Sequence, residues 1–484
     1  MSPAANLHRP PAGIFMDGSF QTGASRRTLH APYDKKHIAE VDFADAETLD
    51  AAIAVGLEAA PKMAALTAAQ RRGLLLGIAR GIEDKSESLS TWISREAGKP
   101  IRLARGEVAR AADTFSFAAE ETWRHAEAID LGAAANGQGR YGLVRRFPAG
   151  LVAAISPFNF PLNLVAHKLA PAFAAGCPVI LKPASQTPMS ALCLAEICAD
   201  AGLPQGALSV LPMNRDCADT LVTDPRISVL SFTGSPDVGW DMKSRAGRKK
   251  VVLELGGNAA VLVQDATDLK AAAARVAAGA FAYAGQVCIS VQRIFVQRKI
   301  YLSFQKELLQ AIENIRIGNP ADEDVICGPL IDDKNADRVS RWIEEAKNAG
   351  ARILCGGKRT GNVIEPVLLE DVPKNLPISC QEAFGPVATI EAYDSLEEGI
   401  AAINDSKYGL QAGIFTDSIQ HVWSAYEKLE VGGVIHNDVP TFRVDHMPYG
   451  GVKESGFGRE GLAYAFEDYT EPRLLALSPS GVPG

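Results

Sequence analysis

Extended basic segments and long apolar runs are both missing from this sequence. Its 484 residues include 49 lysines and arginines against 57 aspartates and glutamates, a net charge of −8. Because nucleic acids and anionic membrane surfaces attract clustered basic residues, neither is expected as a main partner. The longest apolar runs, such as residues 151–155, are strand-length and too short to span a membrane. Residues 1–13 include no apolar stretch of signal-peptide length, so a cytoplasmic protein is expected.

Cysteine is sparse, with eight residues that are scattered and form no Cys-x-x-Cys pair. No histidine lies near them at metal-ligand spacing, so neither a disulfide framework nor a metal site is predicted. Cys193 and Cys198 fall within a helical pattern and are expected in the core. Cys288 differs, because it ends the glycine-containing segment GQVC (285–288) that follows an alanine-rich helical stretch. A buried structural thiol is the alternative, but this setting favours a nucleophile.

Short apolar runs alternate with helix-length stretches from residue 147 onward. Runs at 150–155, 178–181, 207–211 and 227–232 are separated by helical patterns at 163–175 and 190–201. A second block has runs at 259–263 and 291–296 with helices at 269–284 and 301–315. This alternation predicts an α/β fold with parallel sheets, in which ligands bind at the carboxyl ends of the strands.

Several polar residues come directly after these predicted strands. Glu254 precedes two glycines and could act as a partly desolvated base, although a surface glutamate at a strand end is the alternative. Asn159 lies between two phenylalanines in a proline-flanked loop, where it is either a turn residue or an amide donor to an oxyanion. Lys182 ends the second run and either faces solvent or contacts a ribose or phosphate. The turn FTGS (232–235) could present N–H groups to a phosphate, yet it is not a Gly-x-Gly-x-x-Gly fingerprint.

Together these motifs resemble the aldehyde dehydrogenase superfamily, and the resemblance extends from about Asp17 to Leu475. Seven segments occur in the family's order, which chance does not explain. They are PFNFP (157–161), LKPA (181–184), FTGS (232–235), LELGG (253–257), GQVC (285–288), EAFGP (382–386) and PYGG (448–451). The resemblance implies a Rossmann-like cofactor domain (1–125 and 147–253), a catalytic domain (254–463) and β oligomerisation segments (126–146 and 464–484). A homodimer or homotetramer is expected, in which the oligomerisation segments join a partner subunit.

The resemblance also implies roles for the motif residues in oxidising an aldehyde to an acid. Cys288 would be the nucleophile, Glu254 the base for thioester hydrolysis, and Asn159 with the Cys288 backbone N–H the oxyanion site. On the cofactor side, Lys182 would hold the adenosine ribose. The other residues expected to contact the cofactor are Ser156, Pro157, Phe158, Ser185, Gly234, Ser235, Leu255, Glu382 and Phe384. Family members that transfer the acyl group to coenzyme A usually lack the carboxylate at Glu254, so hydrolysis is favoured over that alternative.

Ser185 bears on the choice between NADP and NAD. Many NAD-preferring relatives have a glutamate three residues after the lysine that matches Lys182, and this chain has Ser185 there. A carboxylate would repel the 2′-phosphate of NADP, whereas serine can donate a hydrogen bond to it. NADP is therefore predicted to be used at least as well as NAD.

Two arginines are candidates for binding the aldehyde. Arg105, in RLARGE (102–107), and Arg443, in RVDHMP (443–448), match positions of substrate contacts in relatives that act on small anionic or hydroxylated aldehydes. Surface arginines are the alternative for each. Val287 stands where some phosphate-handling relatives have arginine, which disfavours a doubly charged substrate. The expected substrate is a short aldehyde with a carboxylate or hydroxyl, such as succinate semialdehyde or lactaldehyde.

Two other functions are alternatives to aldehyde oxidation. A non-catalytic structural or binding member of the family would have degraded motifs, and every catalytic position here is filled. A thiol hydrolase would need a histidine base beside Cys288, but His167 belongs to an apolar helical pattern and His446 to the substrate-side loop. Oxidation of an aldehyde remains the favoured function.

Overall fold

The computed structural model of the protein describes residues 13–266 and 268–478, over which the chain forms fifteen α-helices and twenty-four β-strands. In chain order, α1 to α15 are Ala46–Ala65, Ala68–Asp84, Ser86–Ala97, Ile101–Glu121, Asn163–Ala175, Met189–Asp200, Arg215–Thr223, Pro236–Arg245, Leu269–Phe281, Tyr301–Glu313, Asp333–Asn348, Pro377–Cys380, Leu396–Asn404, Ile419–Lys428 and Leu462–Asp468. The first twelve strands, β1 to β12, are Ile14–Met16, Ser19–Gln21, Ser25–His30, His37–Phe43, Ala126–Asp130, Tyr141–Pro148, Val152–Ile155, Val179–Lys182, Leu208–Val210, Val229–Thr233, Lys250–Glu254 and Ala260–Val263. The others, β13 to β24, are Arg293–Gln297, Arg352–Cys355, Arg359–Thr360, Val363–Ile364, Val367–Glu370, Val387–Tyr393, Tyr408–Gly409, Gln411–Phe415, Gly433–His436, Val452–Lys453, Gly456–Phe457 and Thr470–Leu477.

The first large sheet has eight strands in the order β2-β1-β9-β8-β7-β10-β11-β23. Its five central strands, β7 to β11, are parallel, whereas β1 and β23 are antiparallel to their neighbours. Buried residues occupy both faces of β7, as expected for a parallel strand covered by helices on either side. The α/β fold with parallel sheets is therefore confirmed.

A second sheet of seven strands has the order β14-β17-β18-β13-β12-β20-β21. All its pairs are parallel except β14 with β17. The strand β23 comes from residues 456–457 but pairs with β11 of the first sheet. The range expected for the catalytic domain thus contributes a strand to a sheet built mainly from the range expected for the cofactor domain.

A third, smaller sheet has the order β24-β6-β5 and is built mainly from the two ranges expected to be oligomerisation segments. Thr470 to Leu477 pairs with Pro148 to Tyr141 along the whole length of both strands. Only Thr470 of β24 is buried, and its other seven residues are exposed. The outermost residues of the predicted ranges, 1–12 and 479–484, lie outside the described residues.

The helix bounds predicted around the site agree closely with those of the structure, except at the end of α9. The stretch predicted as a helix to residue 284 leaves α-helical geometry after Phe281. Tyr283 and Ala284 have φ angles of +54° and +52°, in the left-handed region that residues with a Cβ seldom adopt. The chain therefore bends sharply just before Cys288.

No single helix among the described residues is long and apolar enough to cross a membrane. Only α1 and α2 taken together pass such a test, and they meet at a bend of 116°.

Candidate active site

The carboxyl ends of four parallel strands align at one edge of the first sheet. Ile155 pairs with Lys182 on one side and with Phe232 on the other, and Thr233 pairs with Glu254. This register places the loops after β7, β8, β10 and β11 side by side. The predicted residues in these loops, which are spread over about a hundred positions in sequence, therefore face one crevice.

Cys288 lies at the far side of this crevice, in an apolar cluster with Val287, Ile289, Leu410 and Tyr449. Its thiol is part-buried, with Sγ 2.9 Å from the Tyr449 hydroxyl. Burial raises the pKa of the Cys288 thiol to about 12, and the hydrogen bond with Tyr449 opposes that shift. The resting thiol is therefore protonated, and Tyr449 is placed to stabilise the thiolate once it forms.

Glu254 is buried at the end of β11, with a residue exposure of 3%. Neither of its carboxylate oxygens has a hydrogen-bond partner among the described residues. Burial raises the pKa of Glu254 well above its usual range, the charge of Glu460 adds to the shift, and Arg443 and Lys168 oppose it. An unpaired buried carboxyl with a raised pKa is suited to general-base catalysis.

Two glycines allow the backbone around Glu254 to approach its neighbours. A Cβ at Gly257 would come within 2.3 Å of the Cys288 carbonyl oxygen, and one at Gly450 would come within 2.9 Å of Glu254 Oε1. Gly257 also donates its N–H to Glu382 Oε1 at 3.0 Å. The thiol, the carboxyl and Glu382 are thus gathered at one place, as the sequence predicted.

Asn159 reaches the segment that holds the nucleophile. Its buried Nδ2 donates to the Gln286 carbonyl at 3.0 Å, two residues before Cys288. Phe158, the preceding residue, meets the ring of Phe384 edge-on with centroids 5.8 Å apart. The amide expected at the oxyanion site and the ring expected beside the nicotinamide are therefore near each other and near the thiol.

The cofactor edge has polar groups without partners, which fits a bound dinucleotide. Ser156 Oγ is buried and makes no hydrogen bond within the described part of the chain. Lys182 Nζ donates to the Pro183 carbonyl at 3.2 Å, and burial lowers the pKa of Lys182 to about 8. Helix α8 begins after Gly234 and Ser235 with no side-chain cap from the described residues, which leaves its first N–H groups available to a phosphate.

Three other residues predicted to contact the cofactor form hydrogen bonds with neighbouring residues. Ser185 Oγ donates to the Met213 carbonyl at 3.3 Å. Leu255 is buried, and its N–H donates to the Ser455 carbonyl at 2.9 Å. Burial raises the pKa of Glu382 to about 7, against the opposing hydrogen bond from Gly257.

Of the two predicted substrate arginines, the structure brings only Arg443 to the site. Its buried guanidinium lies 3.7 Å above the Tyr449 ring and pairs with Glu460 at 2.8 Å. Arg105 lies instead on the exposed surface of α4. Both sides of its guanidinium bind surface carboxylates, those of Glu87 and Glu323 at 2.8 Å each. The prediction that Arg105 contacts the substrate is therefore wrong, because its guanidinium is already paired at the surface.

The sequence analysis did not single out Arg110, the arginine of α4 that binds Asp445. Arg110 binds both oxygens of Asp445, with Nη2 to Oδ1 at 2.6 Å and Nε to Oδ2 at 3.1 Å. His167 Nε2 also lies 2.8 Å from Asp445 Oδ1. A usable signal existed: Arg110 is spaced by three and four residues from the buried polar residues Glu107 and Thr114, and so lies on the inner face of α4.

The sequence analysis also assigned no role to Lys168, which lies near Glu254, or to Tyr449, which contacts the Cys288 thiol. Lys168 is buried in α5, and its Nζ donates to Thr233 Oγ1 at 2.7 Å and to Ser231 Oγ at 3.0 Å. It also lies 4.0 Å from Glu460. A lysine within the apolar pattern 163–175 was the available sign of Lys168, because lysine is rarely fully buried without a partner.

The sequence profile of the aldehyde dehydrogenase family matches residues 20–475. The chain is 42% identical over 468 residues to a 3-sulfolactaldehyde dehydrogenase of Priestia megaterium, covering 96% of this chain and 98% of that one. It is similar to aldehyde dehydrogenase 21 of Physcomitrella patens in complex with the reaction product succinate, at 43% identity and a TM-score of 0.95, covering 97% and 99% of the two chains. An NADP-dependent glyceraldehyde-3-phosphate dehydrogenase of Bacillus halodurans, complexed with NADP, gives 34% identity and a TM-score of 0.94, with 97% and 99% covered.

The chain belongs to the aldehyde dehydrogenase family. It is an aldehyde dehydrogenase that uses NADP or NAD as its cofactor.

Proposed function

We propose that this enzyme oxidises a short aldehyde with a singly charged anionic group, or with a hydroxyl, to the free carboxylic acid through a covalent intermediate on Cys288. The observation that carries the proposal is the convergence of three groups around one pocket. They are the Cys288 thiol, the unpartnered buried carboxyl of Glu254 and the Asn159 amide, which contacts the chain two residues before the nucleophile.

In the first step, the Cys288 thiol releases its proton to solvent and the thiolate sulfur bonds to the carbonyl carbon. The carbonyl oxygen becomes an oxyanion, which the Asn159 amide and the Cys288 backbone N–H stabilise. The Tyr449 hydroxyl, 2.9 Å from Sγ, stabilises the thiolate before it attacks. The nicotinamide supplies a hydride acceptor when the cofactor is bound, and loss of the hydride leaves a thioester on Cys288.

In the second step, Glu254 removes a proton from water as the water oxygen attacks the thioester carbon. The carbon–sulfur bond then breaks, the carboxylic acid leaves, and the Cys288 sulfur recovers a proton. Glu254 must be ionised to act as this base, so its raised pKa predicts that hydrolysis accelerates as pH rises. The presence of Glu254 supports release of the acid over transfer to coenzyme A.

The charges beside the pocket support an anionic substrate. Lys168, Arg443 and Arg110 bring three positive charges to the carboxylates of Glu460 and Asp445, whose pKa values are lowered. Burial and Arg443 lower the pKa of His167, which favours its uncharged form. Arg443 Nε is also buried without a partner among the described residues, which leaves a donor for a carboxylate or sulfonate.

Two of the three relatives reported above have names that fit a singly charged substrate, whereas the one at 34% identity is named for a phosphorylated aldehyde. One relative is a sulfolactaldehyde dehydrogenase and another was solved with succinate as its product. Val287, beside the nucleophile, adds no further positive charge for a doubly charged phosphate.

The test is a panel of succinate semialdehyde, sulfolactaldehyde, lactaldehyde and butyraldehyde, each assayed with NADP and with NAD. We expect kcat/KM to be at least about 10-fold higher for an anionic or hydroxylated aldehyde than for butyraldehyde, because one charged hydrogen bond contributes more than about 1.4 kcal/mol. Cys288→Ala is the control and should abolish cofactor reduction. Preference for butyraldehyde would contradict the anionic substrate, and acceleration by added coenzyme A would contradict hydrolysis.

We also propose that the chain is a homodimer or homotetramer. Leu474 and Leu475 on β24 are 54% and 57% exposed, and adjacent residues of a strand point to opposite faces. Both faces of this strand are therefore uncovered in one subunit, and no described strand pairs with its outer edge. Native proteins seldom leave such an edge open, so a second copy is the expected cover. Light scattering of the wild type and of Leu475→Glu would test this assembly; a monomeric wild type would contradict it.

A further inference from the structure

Lys99 is a buried cation that the catalytic steps above do not use. It lies between α3 and α4, and only 1% of its surface is exposed. Its ammonium forms an ion pair with Glu107, which is equally buried. Burial lowers the pKa of Lys99 to about 8, and the charge of Glu107 opposes the shift. Buried ion pairs frequently add no net stability compared with apolar side chains, so stability alone does not account for this lysine.

Two aromatic rings flank the Lys99 ammonium, and they belong to the two segments that form the oxyanion site. Nζ lies 3.5 Å from the ring centroid of Phe160 and 4.6 Å from that of Tyr283. Phe160 follows Asn159 directly. Tyr283 begins the turn that leads to Cys288. A cation between two ring faces attracts both rings, most strongly where water is excluded.

The Phe160 side is fixed by the ion-pair partner of Lys99. Glu107 Oε1 accepts the backbone N–H groups of Leu162 and Asn163 at 2.9 and 3.1 Å. These groups lie at the start of α5, immediately after the loop that contains Asn159. Glu107 therefore ties that loop to α4 and, through Lys99, to Tyr283.

The backbone at Tyr283 has a strained conformation, which contacts with neighbouring residues must stabilise. Tyr283 and Ala284 both have left-handed φ angles, and such residues persist only where neighbouring contacts fix them. The Tyr283 hydroxyl donates to the Ala97 carbonyl at 3.0 Å, and Gln286 Nε2 donates to the Tyr283 carbonyl at 3.3 Å. The Gln286 carbonyl in turn accepts the Asn159 amide. Lys99 therefore contacts the Phe160 segment and the Tyr283 segment, and these two segments contact each other through Asn159 and Gln286.

We propose that Lys99 is a positioning residue for the oxyanion site. Its ammonium holds the Phe160 and Tyr283 segments at a fixed separation, and so sets the distance between the Asn159 amide and the Cys288 backbone N–H. This inference rests on the oxyanion role of those two groups in the proposed function.

The test removes the cation and keeps the fold. Glu107→Gln retains an oxygen acceptor for the Leu162 and Asn163 N–H groups, so the double variant Lys99→Met with Glu107→Gln leaves no buried charge of this pair unpaired. We expect kcat for the best aldehyde of the panel to fall by about 10- to 100-fold, less than the roughly 10²- to 10³-fold loss on removing an oxyanion donor, because the donors are displaced and not removed. The Kd for the cofactor should change by less than about twofold, because the Lys182 edge is untouched. Phe160→Leu, which removes only a ring, should give a loss of the same kind.

The decisive comparison is made in an Asn159→Ala background. If Lys99 acts through Asn159, the double variant at Lys99 and Glu107 should lower kcat there by less than about twofold. Two results would overturn the inference. One is that the double variant lowers kcat as much in the Asn159→Ala background as beside native Asn159; the other is that it leaves kcat unchanged beside native Asn159. Should the double variant fail to fold, Phe160→Leu with and without Asn159→Ala gives the same decision. Failure of the proposed function has a different signature, in which Asn159→Ala itself leaves kcat unchanged.

Discussion

The cofactor side and the substrate side of this active site are built from different kinds of contact. Along the cofactor edge, the loops after β8 and β10 and the start of α8 offer backbone groups and few charges. On the substrate side, charged side chains join α4 and α5 to the segment before the PYGG motif, through the contacts of Arg110 and His167 with Asp445. That segment is also joined to Glu460, after the motif, through Arg443. The first arrangement is local to the strand ends, whereas the second joins residues as far apart in sequence as Arg110 and Asp445.

This difference predicts how each side responds to substitution. Backbone N–H groups remain when side chains change, so the cofactor edge should tolerate many substitutions. Removing one member of a buried ion pair leaves the other charge uncompensated, at a cost of about 3–5 kcal/mol. The substrate side should therefore lose both activity and stability when a single charge is removed.

Glu254 lies between the two sides, and its replacement should have the largest effect. Glu254→Gln keeps the size of the side chain but cannot accept a proton, so steady-state turnover should fall by about 10²- to 10⁴-fold. One equivalent of reduced cofactor should still form in the first turnover, as thioester accumulates on Cys288. Stopped-flow absorbance of the reduced cofactor measures both phases.

The pH dependence gives the control for this variant. Only ionised Glu254 is a base, and its pKa is raised, so wild-type turnover should rise as pH increases through that raised pKa. The part of the rise that belongs to thioester hydrolysis should disappear in Glu254→Gln, whereas the first-turnover phase should still accelerate with pH because Cys288 must ionise. A variant that turns over at the wild-type rate would exclude Glu254 as the base.

Replacing Arg443 tests the substrate side of the site and should have the second-largest effect on activity. Arg443→Gln combined with Glu460→Gln removes the pair without leaving either of its charges alone. We expect kcat/KM for an anionic aldehyde to fall by about 10- to 100-fold, since a hydrogen bond to a charged group contributes about 1.5–3 kcal/mol. Steady-state kinetics on the same variant with butyraldehyde provides the control and should change far less. Equal losses on both aldehydes would mean that Arg443 does not bind the anion.

Ser185 tests the cofactor side and should show the smallest effect. A glutamate there would face the 2′-phosphate of NADP, so Ser185→Glu should lower kcat/KM for NADP by about 10-fold and leave NAD nearly unchanged. Ser185→Ala serves as the uncharged control. A wild-type preference for NAD of more than about tenfold in kcat/KM would contradict the prediction, because a hydrogen bond from Ser185 to the 2′-phosphate should favour NADP.

The two sides also differed in how far they could be predicted from the sequence. Lys182, Glu254 and the FTGS turn stand at the ends of apolar runs, and the parallel register of β7, β8, β10 and β11 brings them together. Because the carboxyl ends of parallel strands meet at one edge, position in sequence was enough to predict this crevice. The motif order likewise indicated Cys288 and Asn159.

The substrate contact predicted for Arg105 on α4 shows where sequence-based prediction failed. Arg105 and Arg110 are both arginines on one helix, yet Arg105 binds surface carboxylates and Arg110 binds Asp445. Five residues at 3.6 per turn rotate the side chain by about 140°, so the two point to different faces. Which face meets the site depends on how α4 packs, and neither residue alone contains that information.

The sequence by itself determined the parallel strand ends, the place of Glu254 at one of them and of Cys288 after a helix, and the family, because each depends on residues that are close together in the chain or in a fixed order. Only the tertiary structure decided that the Cys288 thiol is buried beside Tyr449, that Arg110 and not Arg105 reaches Asp445, and that Lys99 lies between Phe160 and Tyr283. Burial, ion pairing and ring contacts depend on which distant segments pack together. Those long-range choices set the pKa values and distances on which the chemistry of this enzyme depends.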